Sequence, residues 1–368
     1  MENKTLSIAI LGSRGIPNRY GGFEACAEAI STRLVEKGHK VSVYTVREHE
    51  FREEYWNGVR RILLSDPSKS LGTFGQFIYD LKCNRNSRKT NFDIILHLGY
   101  TSDSIWYWIW DKTSTHIVNM DGQEWKRAKY NSIVKTFLRY AEQLAALHSK
   151  WLVADSREIE KYLKDRYSVP VRYIAYGARI PQDFSPRILS QWNLVPGEYD
   201  LMVARMEPEN NIEATIMAKI AASDNIPMVI VGNENKYKKS LEKKYAETEI
   251  IRFSKAVYEA EKIDSLRHFS RLYIHGHSVG GTNPSLLEAM ACGCSIVSHR
   301  NPFNEAVLGE KAFYFSSCED LVVYFDHYEA YQFKEMIRRN LEKVREEYNW
   351  DRVTNEYEKL FFDAIGAE

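Results

Sequence analysis

The sequence lacks an excess of charge of either sign and uses few cysteines. Lysine plus arginine and aspartate plus glutamate number 50 each, which excludes the strongly basic composition of a typical nucleic-acid-binding protein. The five cysteines are odd in number, and none belongs to a Cys-x-x-Cys pair. Neither a disulfide framework nor a zinc site is therefore indicated, and this cysteine usage fits a reducing cytosol.

Long apolar runs are also missing. No run reaches the roughly 18 apolar residues that a membrane span needs, and the first residues contain no apolar signal core. We therefore expect a cytoplasmic protein, either soluble or peripheral at the inner face of the cell membrane. The aromatic run at residues 104–110 favours a buried helix, with contact to a membrane surface as the alternative.

Three ligand-binding motifs are absent. Without any Asp-x-Asp or His-Glu-x-x-His, the sequence offers no standard carboxylate or histidine site for a divalent metal. The loop after the first predicted strand lacks the Gly-x-Gly-x-x-Gly spacing, which disfavours nicotinamide chemistry. A metal-free phosphate site built from a helix start and an arginine remains.

Apolar, β-prone runs alternate with helical patterns along the 368 residues. This alternation predicts parallel sheets covered by helices on both faces, and the length predicts two domains. A linker is predicted at residues 176–197, where Gly and Pro interrupt the pattern. The predicted strands lie at residues 6–11, 41–45, 92–97, 116–119, 151–154, 171–174, 200–203, 228–231, 250–253, 272–275, 295–298 and 312–315.

The predicted fold class is α/β, with two Rossmann-like, doubly wound parallel-sheet domains facing a central cleft. The first domain takes residues 1–180, the second takes residues 181–350, and residues 351–368 form a final helix expected to pack back on the first domain. In such sheets ligands bind beyond the carboxyl ends of the strands. The loops at those ends are therefore the expected sites.

The most informative stretch runs from His275 to Met290 and combines a strand end, a glycine loop and a helix start. Pro284 suits the first helical position, and Thr282 or Asn283 can cap the helix. The free backbone N–H groups at the start of this helix and the positive end of its dipole would then point to the same place. Such a place favours binding of a phosphate.

The same stretch also contains Gly276-His277-Ser278-Val279-Gly280, which matches the nucleophile elbow of serine hydrolases. In that elbow the helix begins at the serine, whereas here Gly280, Gly281 and Pro284 delay it. A serine hydrolase using Ser278 is therefore the less favoured alternative.

Arg205 follows the predicted strand at residues 200–203. It could clamp a phosphate through bidentate hydrogen bonds, or it could form a surface ion pair with Glu207 or Glu209. Because the predicted helix start at Pro284 belongs to the same sheet, one ligand could use both features.

Two further loops follow predicted strands of the first domain. Residues 12–24 end in a Gly21-Gly22 pair before a helix predicted at residues 23–37. This loop suits a diphosphate or sugar hydroxyls, or it is a glycine-rich connection without a ligand. Residues 119–129 mix carboxylates, an aromatic ring and cations, which suits a sugar and a phosphate, or else a helix start with solvated lysines.

Three motifs in these loops carry a resemblance to one enzyme family. They are Gly12-Ser13-Arg14-Gly15-Ile16-Pro17 with Tyr20-Gly21-Gly22-Phe23-Glu24, Asp121-Gly122 with Glu124-Trp125-Lys126-Arg127-Ala128-Lys129, and Gly280 to Glu288. The chain resembles the retaining glycosyltransferases of the GT-B superfamily known as family 4, and within it the bacterial rhamnosyltransferases of surface-polysaccharide assembly.

Two departures from the wider family occur. That family has two glutamates eight positions apart in the last motif; Glu288 matches the second, and Gly280 stands at the first. Asn210 stands where the family has a diphosphate-binding lysine. Both departures agree with the rhamnosyltransferase subgroup.

The resemblance implies a hexosyltransferase that uses a nucleotide-sugar donor, favouring dTDP-L-rhamnose, with a UDP- or GDP-sugar as the alternative. The implied acceptor is a saccharide, including one linked to a polyprenyl diphosphate at the membrane. No metal, further cofactor or nucleic acid is implied. A non-catalytic nucleotide-sugar-binding protein and a GT-B epimerase of nucleotide sugars are the remaining alternatives.

The resemblance also implies roles for individual residues. The catalytic residues would be Arg205, Glu288 and Asp121. The donor-binding residues would be Asn210, Gly281, Thr282, Asn283, Pro284 and Ser285. The acceptor- or phosphate-binding residues would be Gly15, Gly21, Gly22, Glu124, Lys126, Arg127 and Lys129.

Overall fold

The computed structural model describes residues 4–127 and 130–366, so that Lys129 lies outside the described residues. These residues form two compact units. The first contains the described residues up to Lys126, residues 130–176 and the chain from Trp350 onwards. The second contains Arg127 and residues 177–349.

The first unit is built on an eight-stranded sheet with the order β3-β4-β2-β1-β5-β6-β7-β8. All neighbours pair in parallel except β3, which runs antiparallel to β4. The strands are β1 (Ser7–Leu11), β2 (Lys40–Val46), β3 (Tyr55–Trp56), β4 (Val59–Leu64), β5 (Ile94–Leu98), β6 (Thr115–Asn119), β7 (Trp151–Ala154) and β8 (Val171–Tyr173). The helices are α1 (Gly22–Glu36), α2 (Ser68–Leu71), α3 (Thr73–Ser87), α4 (Ser132–His148) and α5 (Arg157–Arg166), with short 3-10 helices at Ser104–Ile109 and Glu124–Lys126.

The second unit is built on a six-stranded, fully parallel sheet with the order β11-β10-β9-β12-β13-β14. Its strands are β9 (Asp200–Val203), β10 (Met228–Gly232), β11 (Ile251–Lys255), β12 (Leu272–His275), β13 (Ile296–His299) and β14 (Phe313–Phe315). Its helices are α6 (Ile212–Ala221), α7 (Lys236–Lys244), α8 (Ala260–His268), α9 (Pro284–Ala291), α10 (Pro302–Leu308), α11 (Cys318–Asp326) and α12 (Phe333–Glu346). Short 3-10 helices lie at Pro186–Trp192, Pro208–Asn210 and Tyr328–Ala330.

The last helix, α13 (Trp350–Ile365), belongs to the first unit. Tyr357 of α13 is buried. Its hydroxyl accepts a hydrogen bond of 2.9 Å from Asn119 Nδ2 at the end of β6. Arg33 of α1 forms an ion pair of 2.7 Å with Asp351. The chain therefore returns to the first unit after it has completed the second.

The predicted α/β class with two parallel sheets is confirmed, and each predicted strand has a counterpart. Buried strands such as β5, which is buried at every residue, read as continuous apolar runs because both sheet faces are covered. The hairpin of β3 and β4 was not predicted. Its turn is Asn57-Gly58, with φ angles of 47° and 79°, which is the standard two-residue hairpin signal.

Both sheets contain a point at which the strand order reverses. In the first sheet β1 lies between β2 and β5, and in the second sheet β9 lies between β10 and β12. Connections on either side of such a point leave in opposite directions, which opens a crevice beyond the carboxyl ends of the two central strands. The loops after β1 and β5, and those after β9 and β12, therefore flank the crevices. None of the described helices is long and apolar enough to cross a membrane.

Candidate functional site

In the second unit, the loops after β9 and β12 are held together by close backbone contacts. Ser278 N donates to the Glu209 carbonyl at 3.1 Å, and Asn211 Nδ2 donates to the Gly276 carbonyl at 2.8 Å. A Cβ at Gly276 would lie 2.1 Å from the Asn210 carbonyl oxygen. Only glycine permits this approach, so the two loops form one rigid edge of the crevice.

The predicted helix start after β12 is confirmed. Asn283 is the N-cap of α9, its Oδ1 accepts a hydrogen bond from Ser285 N at 2.9 Å, and Pro284 is the first helical residue. The preceding loop contains Gly280 at φ +125°, with nothing near an added Cβ. The N-terminal end of α9, with its positive dipole, therefore opens at the reversal point of the sheet.

Two serines of this stretch have internal partners. The Ser285 hydroxyl lies 2.8 Å from the Tyr273 hydroxyl and donates to the Val203 carbonyl at 3.1 Å. These two contacts of its hydroxyl anchor Ser285, and with it the start of α9, to β9 and β12. The Ser285 backbone N–H is also bonded, to the Asn283 side chain. The donor contact of Ser285 that the sequence predicts stays a prediction.

Ser278 does not occupy a nucleophile elbow. Its Oγ donates to the Glu209 carbonyl at 2.7 Å, and α9 begins only at Pro284. The hydroxyl therefore supports the contact between the two loops, which removes the basis of the serine hydrolase hypothesis.

Glu288 of α9 forms an ion pair that sequence reasoning missed. Its Oε2 lies 2.5 Å from Arg267 Nη2 of α8, and the Arg267 side chain is buried whereas that of Glu288 is 41% exposed. Burial alone would lower the pKa of the Arg267 guanidinium, but Glu288 and its other acidic neighbours, Tyr273, Cys292 and Asp264, together raise it. Arg267 thus fixes Glu288 at the crevice and leaves part of its carboxylate accessible.

Arg205 is exposed immediately after β9. Within the described residues its guanidinium makes no hydrogen bond or ion pair, so the alternative of a surface pair with Glu207 or Glu209 is wrong. Asn210 is buried, and its Nδ2 donates to the Arg205 carbonyl at 2.7 Å. The Asn210 side chain therefore fixes the backbone that carries Arg205, and its contact with a diphosphate stays a prediction.

Two stacked histidines lie beneath this edge. The rings of His275 and His277 are 4.5 Å apart and nearly parallel, and both residues are buried. Burial lowers the pKa of His275 to about 3, with the charges of His299 and Arg267 acting in the same direction. Burial also lowers the pKa of His277, assisted by His275, Arg205 and Arg127. Both imidazoles are therefore neutral at physiological pH.

In the first unit, the loop after β1 is held by carboxylates of α1. Glu24 is buried and accepts a hydrogen bond of 2.8 Å from Arg14 N, while Glu28 accepts one of 2.5 Å from Asn18 N. Burial raises the pKa of both carboxyl groups. Gly15 has φ +108°, and a Cβ there would overlap Thr45, so its glycine is required by packing against β2.

Gly21 and Gly22 end this loop at the start of α1. Gly21 is the exposed N-cap, without a side-chain hydrogen bond, and Gly22 is the first helical residue. Asp121 follows β6 with φ 51°, and its N–H donates to Asn119 Oδ1 at 3.0 Å. Burial raises the pKa of the Cys26 thiol in α1 to about 12 and the negative charge of Asp121 adds to this effect. Asp121 therefore lies beside the first turns of α1.

The residues after Asp121 that the sequence assigns to the acceptor differ in burial. Glu124 begins the short 3-10 helix and is half-buried. Lys126 is exposed, with its Nζ 5.5 Å from the centre of the Trp125 ring. Arg127 is buried and its Nη1 lies 3.7 Å from Glu209 Oε1, while Lys129 lies outside the described residues. Arg127 is therefore buried against a carboxylate of the second unit, whereas Lys126 is exposed on the first unit.

Two parts of the sequence each match a protein family. Residues 5–179 match the family described as domain of unknown function DUF1972, and residues 193–344 match the family described as glycosyl transferases group 1. No curated protein matches the chain in sequence.

Solved structures resemble the whole chain at low sequence identity. Sucrose-phosphate synthase from Thermosynechococcus elongatus has a TM-score of 0.78 at 14% identity, covering 98% of this chain and 99% of that one. Anabaena HepE in complex with UDP and glucose has a TM-score of 0.74 at 13% identity, covering 97% and 100%. OtsA has a TM-score of 0.72 at 10% identity, covering 97% and 99%. The chain is therefore a glycosyltransferase with the GT-B type of α/β fold and a glycosyl transferases group 1 domain in its second unit.

Proposed function

We propose that the protein transfers L-rhamnose from dTDP-L-rhamnose to a saccharide acceptor with retention of anomeric configuration. One observation carries the donor side of this proposal. Arg205 and the Asn283-capped start of α9 follow β9 and β12, the two strands that flank the reversal point of the second sheet. Arg205 is exposed and has no ion-pair partner among the residues that the structure describes. A guanidinium and a helix N-terminus at one crevice are the groups that bind a diphosphate.

The same groups supply the chemistry. As the bond between sugar and diphosphate breaks, negative charge gathers on the departing phosphate oxygens. The backbone N–H groups between Gly281 and Asn283 and the backbone that carries Arg205 are held in place beforehand, so this charge is stabilised with little reorganisation. In this proposal the protein stabilises the negative charge of the departing diphosphate without a metal ion. The diphosphate itself accepts the proton of the acceptor hydroxyl.

Glu288 is proposed to bind the sugar of the nucleotide. Its half-exposed carboxylate is held by Arg267 at 2.5 Å, and a fixed carboxylate accepts hydrogen bonds from ribose or deoxyribose hydroxyls. This contact does not depend on the base, so a UDP- or GDP-sugar remains the second candidate donor. The complex of Anabaena HepE with UDP and glucose supports the UDP alternative.

The first unit is proposed to bind the acceptor through Gly21, Gly22, Asp121 and Glu124. Asp121 lies beside the first turns of α1, and Gly21 leaves the start of that helix uncapped by a side chain. Lys126 is exposed at the end of the 3-10 helix that Glu124 begins, and would attract the diphosphate of a lipid-linked saccharide. The proposed place of the reaction is the cytoplasmic face of the cell membrane, in surface-polysaccharide synthesis.

Replacement of the two donor-side residues tests the proposal. We expect Arg205→Ala and Glu288→Ala to lower the transfer rate by at least about a hundredfold, the scale of removing one charge-stabilising donor. The measurement is release of dTDP from dTDP-L-rhamnose with a lipid-linked saccharide acceptor. The matched control is Arg252→Ala on β11, an exposed arginine of the edge strand. Near wild-type transfer by both site variants would refute the assignment.

A further inference from the structure

A group of exposed apolar side chains lies on neighbouring elements of the first unit. These side chains are between 48% and 82% exposed, although each is large and apolar. We call them the docking face: Leu71 of α2, Phe74 of α3, Trp108 of the 3-10 helix Ser104–Ile109, and Ile133, Tyr140 and Leu147 of α4.

The docking face is continuous because aromatic rings connect its elements. Phe74 contacts Phe77 at a ring distance of 6.4 Å, and Phe77 contacts Phe137 of α4 at 5.7 Å. At the other end, Tyr107 stacks on His148 of α4 at 3.7 Å and contacts Trp108 at 6.1 Å. Both ends of the face are therefore fixed to α4.

Helix α4 presents one stripe of this face along its length. Ile133, Tyr140 and Leu147 are spaced seven residues apart and are all exposed. Leu138 and Ala145 are buried on the other side. The described part of the chain thus leaves apolar side chains of α4 uncovered on its solvent side, as well as packing apolar residues on its buried side.

The four segments that carry the docking face expose cations and keep their own carboxylates buried. The fully described segments α2, α3, Ser104–Ile109 and α4 contain two carboxylates, Asp80 and Glu142, and each residue is only 2% exposed. Lys69 and Arg139, in contrast, are exposed on α2 and α4. An apolar face edged by cations and free of exposed carboxylates complements an anionic surface.

We propose that the docking face seats the protein on a bilayer that contains anionic lipids. The apolar side chains enter the boundary between headgroups and acyl chains, where Trp and Tyr are favoured because their rings are amphipathic. Lys69 and Arg139 then meet lipid phosphates. The requirement for both apolar and cationic groups selects a lipid surface over a second copy of this chain, which would bring like charges together.

The docking face adjoins the proposed acceptor loop. The Arg139 guanidinium lies 4.3 Å from the centre of the Trp125 ring, and Trp125 Nε1 donates to Glu142 Oε2 of α4 at 3.0 Å. Seating α4 on the bilayer therefore places the residues after Asp121 near the membrane surface. This inference deepens the proposed function, and rests on it only for the lipid-linked nature of the acceptor.

Vesicle binding tests the docking face without any transfer reaction. We expect the full-length protein to sediment with vesicles that contain about one third phosphatidylglycerol, and to bind pure phosphatidylcholine vesicles at least about tenfold more weakly. The double variant Ile133→Ser/Leu147→Ser should bind the anionic vesicles at least about tenfold more weakly than the wild type. Its matched control is Met217→Ser/Val323→Ser, two exposed apolar side chains of α6 and α11, which should bind normally.

Three results would overturn the inference: absence of wild-type binding to the anionic vesicles, unchanged binding by the double variant, or equal loss in the control. Dimerisation of the wild type that the double variant abolishes, without vesicle binding, would assign the face to a second copy instead. With a saccharide acceptor that lacks the lipid, the double variant should transfer at the wild-type rate. Loss of vesicle binding with intact transfer separates this inference from the proposed function.

Discussion

At the scale of single residues, the site depends on side chains whose partners are distant in sequence. Arg205 could be selected from the sequence because it follows a strand end, and Glu288 could be selected because it belongs to the motif that resembles the glycosyltransferase family. Arg267, which holds Glu288 at 2.5 Å, could not, since that ion pair depends on how α8 packs against α9. The burial of Arg127 and the internal bonds of Asn210 and Ser285 depend on tertiary packing for the same reason.

Gly280 illustrates a residue whose identity is explained by backbone geometry. Its φ of +125° is a conformation that side chains with a Cβ rarely adopt, although the space around an added Cβ is open. A glutamate at this position, as in the wider family that the sequence resembles, would therefore be strained by its backbone and not by crowding.

A buried ion cluster at the start of β9 gives a prediction about stability. Lys219 is fully buried, with its Nζ 2.7 Å from Asp200 Oδ2 and in contact with Asp224. Lys219→Met leaves these carboxylates with Arg271 alone, so we expect a loss of about 3 kcal/mol in the free energy of unfolding. Lys244→Met, at an exposed pair with Glu213, should leave the free energy of unfolding nearly unchanged. Urea denaturation measures both, and equal losses would contradict the role of burial.

At the scale of elements, parallel strands were predictable because both faces are buried and the apolar pattern is continuous. The α9 start was predictable because capping residues and Pro284 act locally. The β3–β4 hairpin was missed although Asn57-Gly58 marks its turn. Its strands are short and partly exposed, and edge strands of that kind lack a long apolar pattern.

Strand β12 carries a pH-dependent contribution to stability. Burial lowers the pKa of His275 to about 3, whereas in the unfolded chain it is about 6.5. Below pH 6.5 the unfolded state binds a proton that the folded state does not, so stability falls as the pH decreases towards 3.

We expect this histidine alone to cost about 1 kcal/mol between pH 7.5 and pH 5.5. Urea denaturation at both pH values, comparing the wild type with His275→Leu, measures the effect. The variant should lose less stability on acidification than the wild type. An equal loss of stability in both proteins would show that His275 binds its proton as readily in the folded state as in the unfolded state.

At the scale of the whole molecule, length and the alternation of strands and helices were sufficient to predict two parallel sheets, since the rules for such sheets are general. The reversal points of both sheets then select the loops that carry the candidate residues. The donor sugar cannot be predicted in this way, because one methyl or hydroxyl group changes binding by only a few kcal/mol and leaves no pattern in the sequence.

Thermal unfolding with dTDP-, UDP- and GDP-sugars tests the central claim, that the second unit binds a nucleotide-sugar diphosphate through Arg205 and α9. A ligand at a hundred times its Kd adds about 2.7 kcal/mol to the stability of the folded state. We predict that dTDP-L-rhamnose raises the Tm of the wild type and of Arg252→Ala, and leaves that of Arg205→Ala nearly unchanged. The claim is contradicted if no nucleotide sugar raises the Tm of the wild type.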